Sequence, residues 1–341
     1  MTRIPLLMLS LSLPCVGLGA QESGTDGAEV VPEPIRAIAP EAIQADVDHL
    51  ADDAYYGRYW LSPFGRKAAE WIRDRMQAIG CEPILPEGAW FQETPTPDSS
   101  PNVVGAIRGT DPDAGWVVIG AHYDHLPPRR RGRDTIYNGA DDNASGVAGM
   151  LAAGEALVAL KARLRAGVIL IAFTGEEAGL KGSRHFVAKP PVPLEAMRGL
   201  FNLDMISRGE EDLIFVDGAS RSPGIAQALE TANRAIGLRM RIDTHPDWLS
   251  RSDQWPFLEK GVEGVLFSVE DHEDYHQVSD HADRIIAPLA ARVSRLVALA
   301  TLDLASKKPV RPAESDATAR PESIPSGPAG APGTAPDKDS D

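Results

Sequence analysis

Cysteine is nearly absent: the 341 residues contain only Cys15 and Cys81. If Cys15 leaves with a leader, no intramolecular disulfide can form, and the chain must rely on its core. A chain of this length can bury one. Long apolar runs are missing too. No stretch reaches the about 18 uninterrupted apolar residues that a spanning helix needs. Positive charge is in deficit, with 34 Lys and Arg against 49 Asp and Glu, a formal net charge of -15. No basic face is large enough to serve nucleic acid, and the acidic balance would repel DNA and anionic lipid. What is present is ordinary for a globular protein, 43% hydrophobic and 24% charged. That composition excludes disordered, collagenous and fibrous chains.

The ends differ from the middle. Arg3, the apolar run from Ile4 to Leu13 and the small residues Gly17-Leu18-Gly19-Ala20 have the pattern of a secretory signal peptide. Residues 1–20 are therefore expected to direct export, to a periplasm or the medium, and residues 21–34 to form a flexible lead-in. From Lys307 to Asp341 there are seven prolines, no aromatic residue, and only Val310 and Ile324 as large aliphatics. Such a segment buries too little apolar surface to offset ordering entropy, so 307–341 is expected to be a disordered tail. Residues 35–306 then form a single domain without repeats.

Several short apolar runs predict strands: Val103 to Ile107, Trp116 to Ala121, Val168 to Phe173, Leu200 to Ile206, Leu213 to Val216 and Val265 to Val269. The run Val168-Ile169-Leu170-Ile171-Ala172-Phe173 has no polar alternation, which marks a central strand covered on both faces. Helical spacing places Val147, Met150, Leu151, Leu157 and Val158 on one face, and likewise Leu289, Val293, Leu296, Val297 and Ala300. Strands alternating with helices predict an α/β three-layer sandwich, a mostly parallel mixed sheet with helices on both faces.

In open α/β sheets, sites form beyond the carboxyl ends of the strands. The polar residues gather there. His122-Tyr123-Asp124-His125 follows one run, and Thr174-Gly175-Glu176-Glu177 follows the central one. Asn202-Leu203-Asp204-Met205 lies within a later strand. The loop Gly139-Ala140-Asp141-Asp142-Asn143-Ala144-Ser145-Gly146 opens a helix, and Asp274-Tyr275-His276 stands near the end. Each fragment alone is weak, because a single His-x-Asp-His or Glu-Glu is usually a solvated or hydrogen-bonded element. Together, carboxylates and imidazoles at one sheet edge cost desolvation and repulsion that a divalent cation removes. Zinc accepts this mixture of nitrogen and oxygen donors, as do other divalent metals. Asp124 lies two residues from His122, so on an extended segment its carboxylate could fix the imidazole tautomer.

Taken in order over about residues 40 to 305, these motifs resemble the co-catalytic di-zinc aminopeptidase family. That family includes secreted leucyl-type aminopeptidases, glutamate carboxypeptidase II and glutaminyl cyclases. The run Phe173-Thr174-Gly175-Glu176-Glu177-Ala178-Gly179-Leu180-Lys181-Gly182-Ser183 shares in the match. The resemblance implies the zinc-exopeptidase fold and two divalent metal ions, zinc in the family. Asp142 would bridge them; His122 and Asp204 would complete one site, Glu177 and His276 the other. It implies Glu176 as the general base toward a metal-bridged water, Tyr275 as an oxyanion donor, and a cis bond between Asp142 and Asn143. The implied substrate is a peptide or small aminoacyl compound cleaved at its first peptide bond.

Competing functions share parts of the pattern. A glutaminyl cyclase departs from it around the bridging aspartate, whereas Asp141-Asp142-Asn143-Ala144-Ser145-Gly146 looks like the peptidases. Carboxypeptidase or dipeptidase specificity, and a non-catalytic binding ectodomain, are further alternatives. Retention of all five ligands and Glu176 argues against the last. Arg129, Arg130, Arg131 and Arg133 read as a solvated loop or as a rim for acidic substrates. Ser252-Asp253 resembles a family element beside the pocket, though a helix N-cap explains it almost as well. Cys81 reads as a packed thiol, and His185, His245, His272 and His281 as structural or solvated. Asn143-Ala144-Ser145 matches a glycosylation acceptor that should be inaccessible.

Overall fold

The computed structural model describes residues 30–308. The expected signal peptide, most of the lead-in and the tail from residue 309 lie outside the described residues. The lead-in is expected to run to residue 34, but helix α1 (Glu33–Arg36) already begins within it, because Ile35 is fully buried against the core.

Nine strands among the described residues form one sheet. They are β1 (Glu82–Pro83), β2 (Phe91–Gln92), β3 (Asn102–Ile107), β4 (Trp116–His122), β5 (Gly167–Phe173), β6 (Met197–Leu203), β7 (Leu213–Asp217), β8 (Arg239–Ile242) and β9 (Gly264–Ser268). Their order is β1-β3-β5-β4-β6-β9-β7-β8, with β2 also paired to β3. The central strands β5, β4, β6 and β9 are mutually parallel. Antiparallel pairing enters on either side, β3 with β5 and β7 with β9. The sheet is thus mixed with a parallel centre, as the apolar runs predict.

The central strand shows why it needs no polar alternation. Val168, Leu170 and Ala172 enter the larger core, while Ile169, Ile171 and Phe173 enter the smaller one on the opposite face. Successive side chains point to opposite faces, so a strand covered twice is apolar throughout. Each fully buried aliphatic side chain here contributes about 1.5–3 kcal/mol. The larger core is roofed by helices α2 (Pro40–Leu50), α3 (Pro63–Ala78), α4 (Gly146–Ala159), α6 (Pro223–Ile236) and α8 (Ala287–Ser306). Helices α5 (Lys181–Ala188) and α7 (Gln254–Glu259) cover the smaller one through Phe186, Val187 and Phe257. Three layers result.

Two expectations change in detail. α4 is buried nearly all round rather than on one face, because α2 and α8 pack on its outer side. The strand expected over Leu200 to Ile206 runs from Met197 and stops at Leu203, since Met205 takes a left-handed conformation (φ 63°) that ends the extended chain. Asp204 therefore lies beyond the strand end rather than within it.

Cys81 is buried and unpaired, and burial pushes its thiol up to about 12. A thiol so placed is inert. In the native protein it should fail to react with a disulfide-exchange reagent over minutes, and react fully once denatured; rapid native labelling would contradict the packing.

Candidate metal centre

The carboxyl ends of β4, β5 and β6 converge, and each delivers site residues. β4 ends on His122, β5 runs into Thr174-Gly175-Glu176-Glu177, and β6 releases Asp204. The loop after β9 returns with Tyr275 and His276, and the turn before α4 inserts Asp142 between them.

Asp142 is the hub. Its Oδ1 lies 3.4 Å from His122 Nε2, and its Oδ2 lies 3.2 Å from His276 Nε2 and 3.6 Å from His125 Nδ1. His122 Nε2 also meets Asp204 Oδ1 at 3.0 Å. Glu177 accepts from His125 Nδ1 at 2.7 Å and lies 3.3 Å from His276 Nε2. Two donor groups follow, His122-Asp142-Asp204 and His125-Asp142-Glu177, each with ligand atoms within 4.8 Å of one another. His276 reaches the same two carboxylates as His125. The five residues that the sequence points to are thus brought together, and His125, to which it assigns no role, joins them. Its place in His122-Tyr123-Asp124-His125, three residues after an expected ligand, was the available signal.

The turn that carries Asp142 is heavily fastened. Asp280 accepts from the backbone N–H groups of Asp141 and Asp142 at 3.0–3.1 Å. Asn143 Oδ1 accepts from the N–H groups of Gly146 and Met205, and its Nδ2 donates to Leu203 O. Asp141 accepts from Ser207 and Ser145, and His272 Nε2 lies 3.2 Å from its second oxygen. His272 is therefore a structural partner. The bond between Asp142 and Asn143 is cis, as the resemblance implies, and Asn143 is fully buried, so its acceptor pattern is inaccessible. Gly139 (φ 56°) admits the turn; a Cβ there would sit 2.1 Å from Asp142 O.

Asp124 differs from expectation. Its backbone carbonyl, not its carboxylate, meets His122 Nδ1, at 3.1 Å against 3.9 Å. β4 stops at His122, so the alternation that would align the two side chains breaks there. The carboxylate accepts instead from the Glu176 backbone N–H at 3.1 Å and orients the β5 turn. The carbonyl contact still leaves His122 Nε2 facing Asp142 and Asp204. Ser252 donates to Asp204 at 2.6 Å, and neither Ser252 nor Asp253 caps α7 through its side chain, so the N-cap reading falls away. Tyr275 stacks on His276 with centroids 4.0 Å apart. Asp274, bound by Arg208, Arg284 and Ser279, secures the loop behind both. Arg129 is anchored by the Tyr137 hydroxyl and Gln277.

The electrostatics ask for cations. Burial disfavours a charged His122, yet Asp204, Glu176 and Asp142 outweigh it and raise its pKa well above the usual imidazole range. Burial likewise opposes charge on His276, but Asp142 and Glu177 push it up to about 10. Burial raises the Glu176 carboxyl well above its ordinary range, against the pull of His122. It also raises Asp124 and Asp253 to about 7 each, both opposed by His122. Neither oxygen of the buried Asp253 has a hydrogen-bond partner. More carboxylates are buried here than the imidazoles can neutralise, and the donors are the nitrogen and oxygen types that divalent metals take. The residues fit a metal pair that shares Asp142.

The family model for peptidase family M28 matches residues 102–301, from β3 to near the end of α8. The chain belongs to peptidase family M28. Among curated relatives, the probable leucine aminopeptidase 1 of Trichophyton verrucosum is 28% identical over 193 residues, covering 52% of this chain and 48% of that protein. A probable zinc metalloprotease of Pyrenophora tritici-repentis is 25% identical over 310 residues, covering 74% and 63%. The chain spans about half the length of the first of these. In fold it resembles the LapA aminopeptidase of Legionella pneumophila, with a TM-score of 0.67 at 21% identity over 82% of this chain and 75% of that one. This M28 chain thus has the mixed α/β sheet of zinc aminopeptidase structures and the donor clusters at the expected strand ends.

Proposed function

We propose that this protein is a zinc-dependent exopeptidase that hydrolyses the first peptide bond of substrates with a free amino terminus. The observation that carries the reading is the pair of donor clusters sharing Asp142, with Glu176 near enough to His122, Asp204 and Glu177 to feel their charges. His122 and Asp204 would hold one ion with Asp142; Glu177 with His276, or with His125, would hold the other. Bound divalent ions supply Lewis acidity toward the scissile carbonyl and lower the pKa of a bound water toward about 7. The rest falls to the chain. Glu176 takes a proton on its carboxylate from the attacking water and passes it to the leaving amine nitrogen. Asp124 holds the Glu176 backbone in place. Burial, with Asp142, Glu177, Asp204 and Glu176 nearby, keeps the Tyr275 phenol protonated, which suits a hydrogen-bond donor to the developing oxyanion. The acidic surroundings favour a substrate α-ammonium. Leucyl-type specificity is supported by the similarity to a probable leucine aminopeptidase. Export is supported by the N-terminal sequence pattern alone.

The test is a panel of aminoacyl-anilides, their N-acetylated forms and N-terminal glutamine peptides. Free aminoacyl substrates should be cleaved and N-blocked ones spared. Chelation should abolish hydrolysis, and added zinc should restore it. Equal rates on blocked and free substrates, or full activity in metal-free protein, would overturn the reading. Cyclisation of the glutamine peptides without hydrolysis would replace it with an acyl-transfer function.

A further inference from the structure

Arg58 is fully buried, and no motif in the sequence draws attention to it. Four of its five N–H donors reach backbone carbonyls. Nε donates to Tyr123 O at 2.8 Å, Nη1 to Leu50 O at 2.7 Å and Asn138 O at 2.6 Å, and Nη2 to Gly139 O at 2.9 Å. Tyr123 lies between His122 and Asp124, just past β4. Asn138 and Gly139 lead directly into the turn that carries Asp142. Leu50 ends α2, where a cation is favourable.

The backbone around Arg58 is built to press this side chain inward. Gly57 and Arg58 both take left-handed conformations, φ 74° and 56°. A Cβ on Gly57 would sit 2.6 Å from Tyr137 O, so this turn abuts the same loop that the guanidinium binds. A left-handed arginine persists only where its surroundings over-determine it. Asn138 adds a parallel tie, donating to Ala51 O and Asp53 Oδ1.

We propose that Arg58 is a positioning residue for the metal-binding side chains: its guanidinium fork fastens the β4 end bearing His122 to the loop that delivers Asp142. This rests on the metal-centre reading above. A planar fork spans several carbonyls at fixed angles, which a lysine ammonium cannot do. Geometry rather than charge is therefore the contribution, since a bare positive charge close to the cluster would repel a bound cation. Burial lowers the guanidinium to about 10, with Asp142, Asp280, Asp124 and Glu177 acting against that loss.

The test uses the full chain, stripped by chelation, with Arg58→Lys and Arg58→Met beside the wild type. Zinc affinity is read by competition with a chromophoric chelator, and ligand geometry by the visible spectrum of cobalt(II). Both variants should bind zinc about 10–100-fold more weakly, as for other residues that orient metal ligands, and shift the cobalt spectrum. Lysine should not rescue. A folded Arg58→Lys with wild-type zinc affinity overturns the proposal, as does a variant that loses thermal stability alone. If neither variant folds, hydrogen exchange on the wild type decides. Residues 138–146 should stay as protected without metal as with it; rapid exchange of that stretch only in the metal-free protein overturns the tether. A wild type that takes up no zinc and gives no cobalt spectrum fails the metal reading itself, a distinct result that also removes the ground for this proposal.

Discussion

Replacing Glu176 by glutamine should leave metal content at the wild-type level while cutting turnover about 10²–10⁴-fold, roughly 3–5 kcal/mol of transition-state stabilisation. Glutamine keeps the size of the side chain and the backbone N–H that bonds Asp124, so the β5 turn should hold its shape. Every residue of the two donor clusters also survives, because Glu176 belongs to neither. What is lost is the carboxylate that accepts a proton. Its neighbour behaves differently. Glu177 lies against His125 and His276, whose hydrogen bonds hold its carboxyl well below the usual range despite burial. It is the anion of the pair, and Glu177→Gln should shed metal before any rate is measured. Metal analysis of the two purified variants checks the split. Glu176→Gln losing metal while Glu177→Gln keeps it would mean that the roles are exchanged.

Side chains after a strand end point in different directions, which is why two adjacent glutamates can part in this way. That much was legible in the sequence, because the apolar run Val168 to Phe173 marks the strand and Glu176-Glu177 its exit. The same logic placed His122 just beyond a strand ending at Ala121, where it proves to be the last residue of β4, and put Asp204 near the end of β6. It misjudged Asp204 by one strand end, since the left-handed turn at Met205 has no signal in hydropathy. It also gave the Asp124 carboxylate the contact that its own carbonyl makes, because alternation was carried past the last strand residue. Arg58 and Asp280 were not legible at all. Three of the four carbonyls that Arg58 binds lie 65 to 81 positions away, and Asp280 acts on N–H groups some 138 positions away. Their partners are backbone atoms, which carry no side-chain identity for a pattern to detect. Periodicity reveals which face is buried; it does not reveal which distant carbonyl will need a donor.

Asp142→Ala tests the hub and should be the more drastic change. One carboxylate spans both clusters, Oδ1 toward His122 and Oδ2 toward His276. Its removal should empty both sites, so that metal falls from about two ions per chain to below one, and activity should fall at least as far as in Glu176→Gln. His122→Ala should cost one ion, since that imidazole serves one cluster, and His276→Ala should cost the other where His276, which reaches the same two carboxylates as His125, is the ligand. His125→Ala decides a further point. If His276 suffices with Asp142 and Glu177, this variant keeps two ions; if His125 is itself a ligand, it keeps one. The fold should survive Asp142→Ala, because Asp280 holds the turn through backbone N–H groups and Asn143 ties it to the end of β6. The metal-free variant should melt at or above the temperature of the metal-free wild type, since one buried carboxylate among several has gone. The wild type should gain stability with zinc, about 2.7 kcal/mol at a hundredfold excess over Kd, and the variant should gain almost none. A variant that still carries two ions and still responds to zinc would show that Asp142 bridges nothing, and the centre would have to be rebuilt from two independent sites.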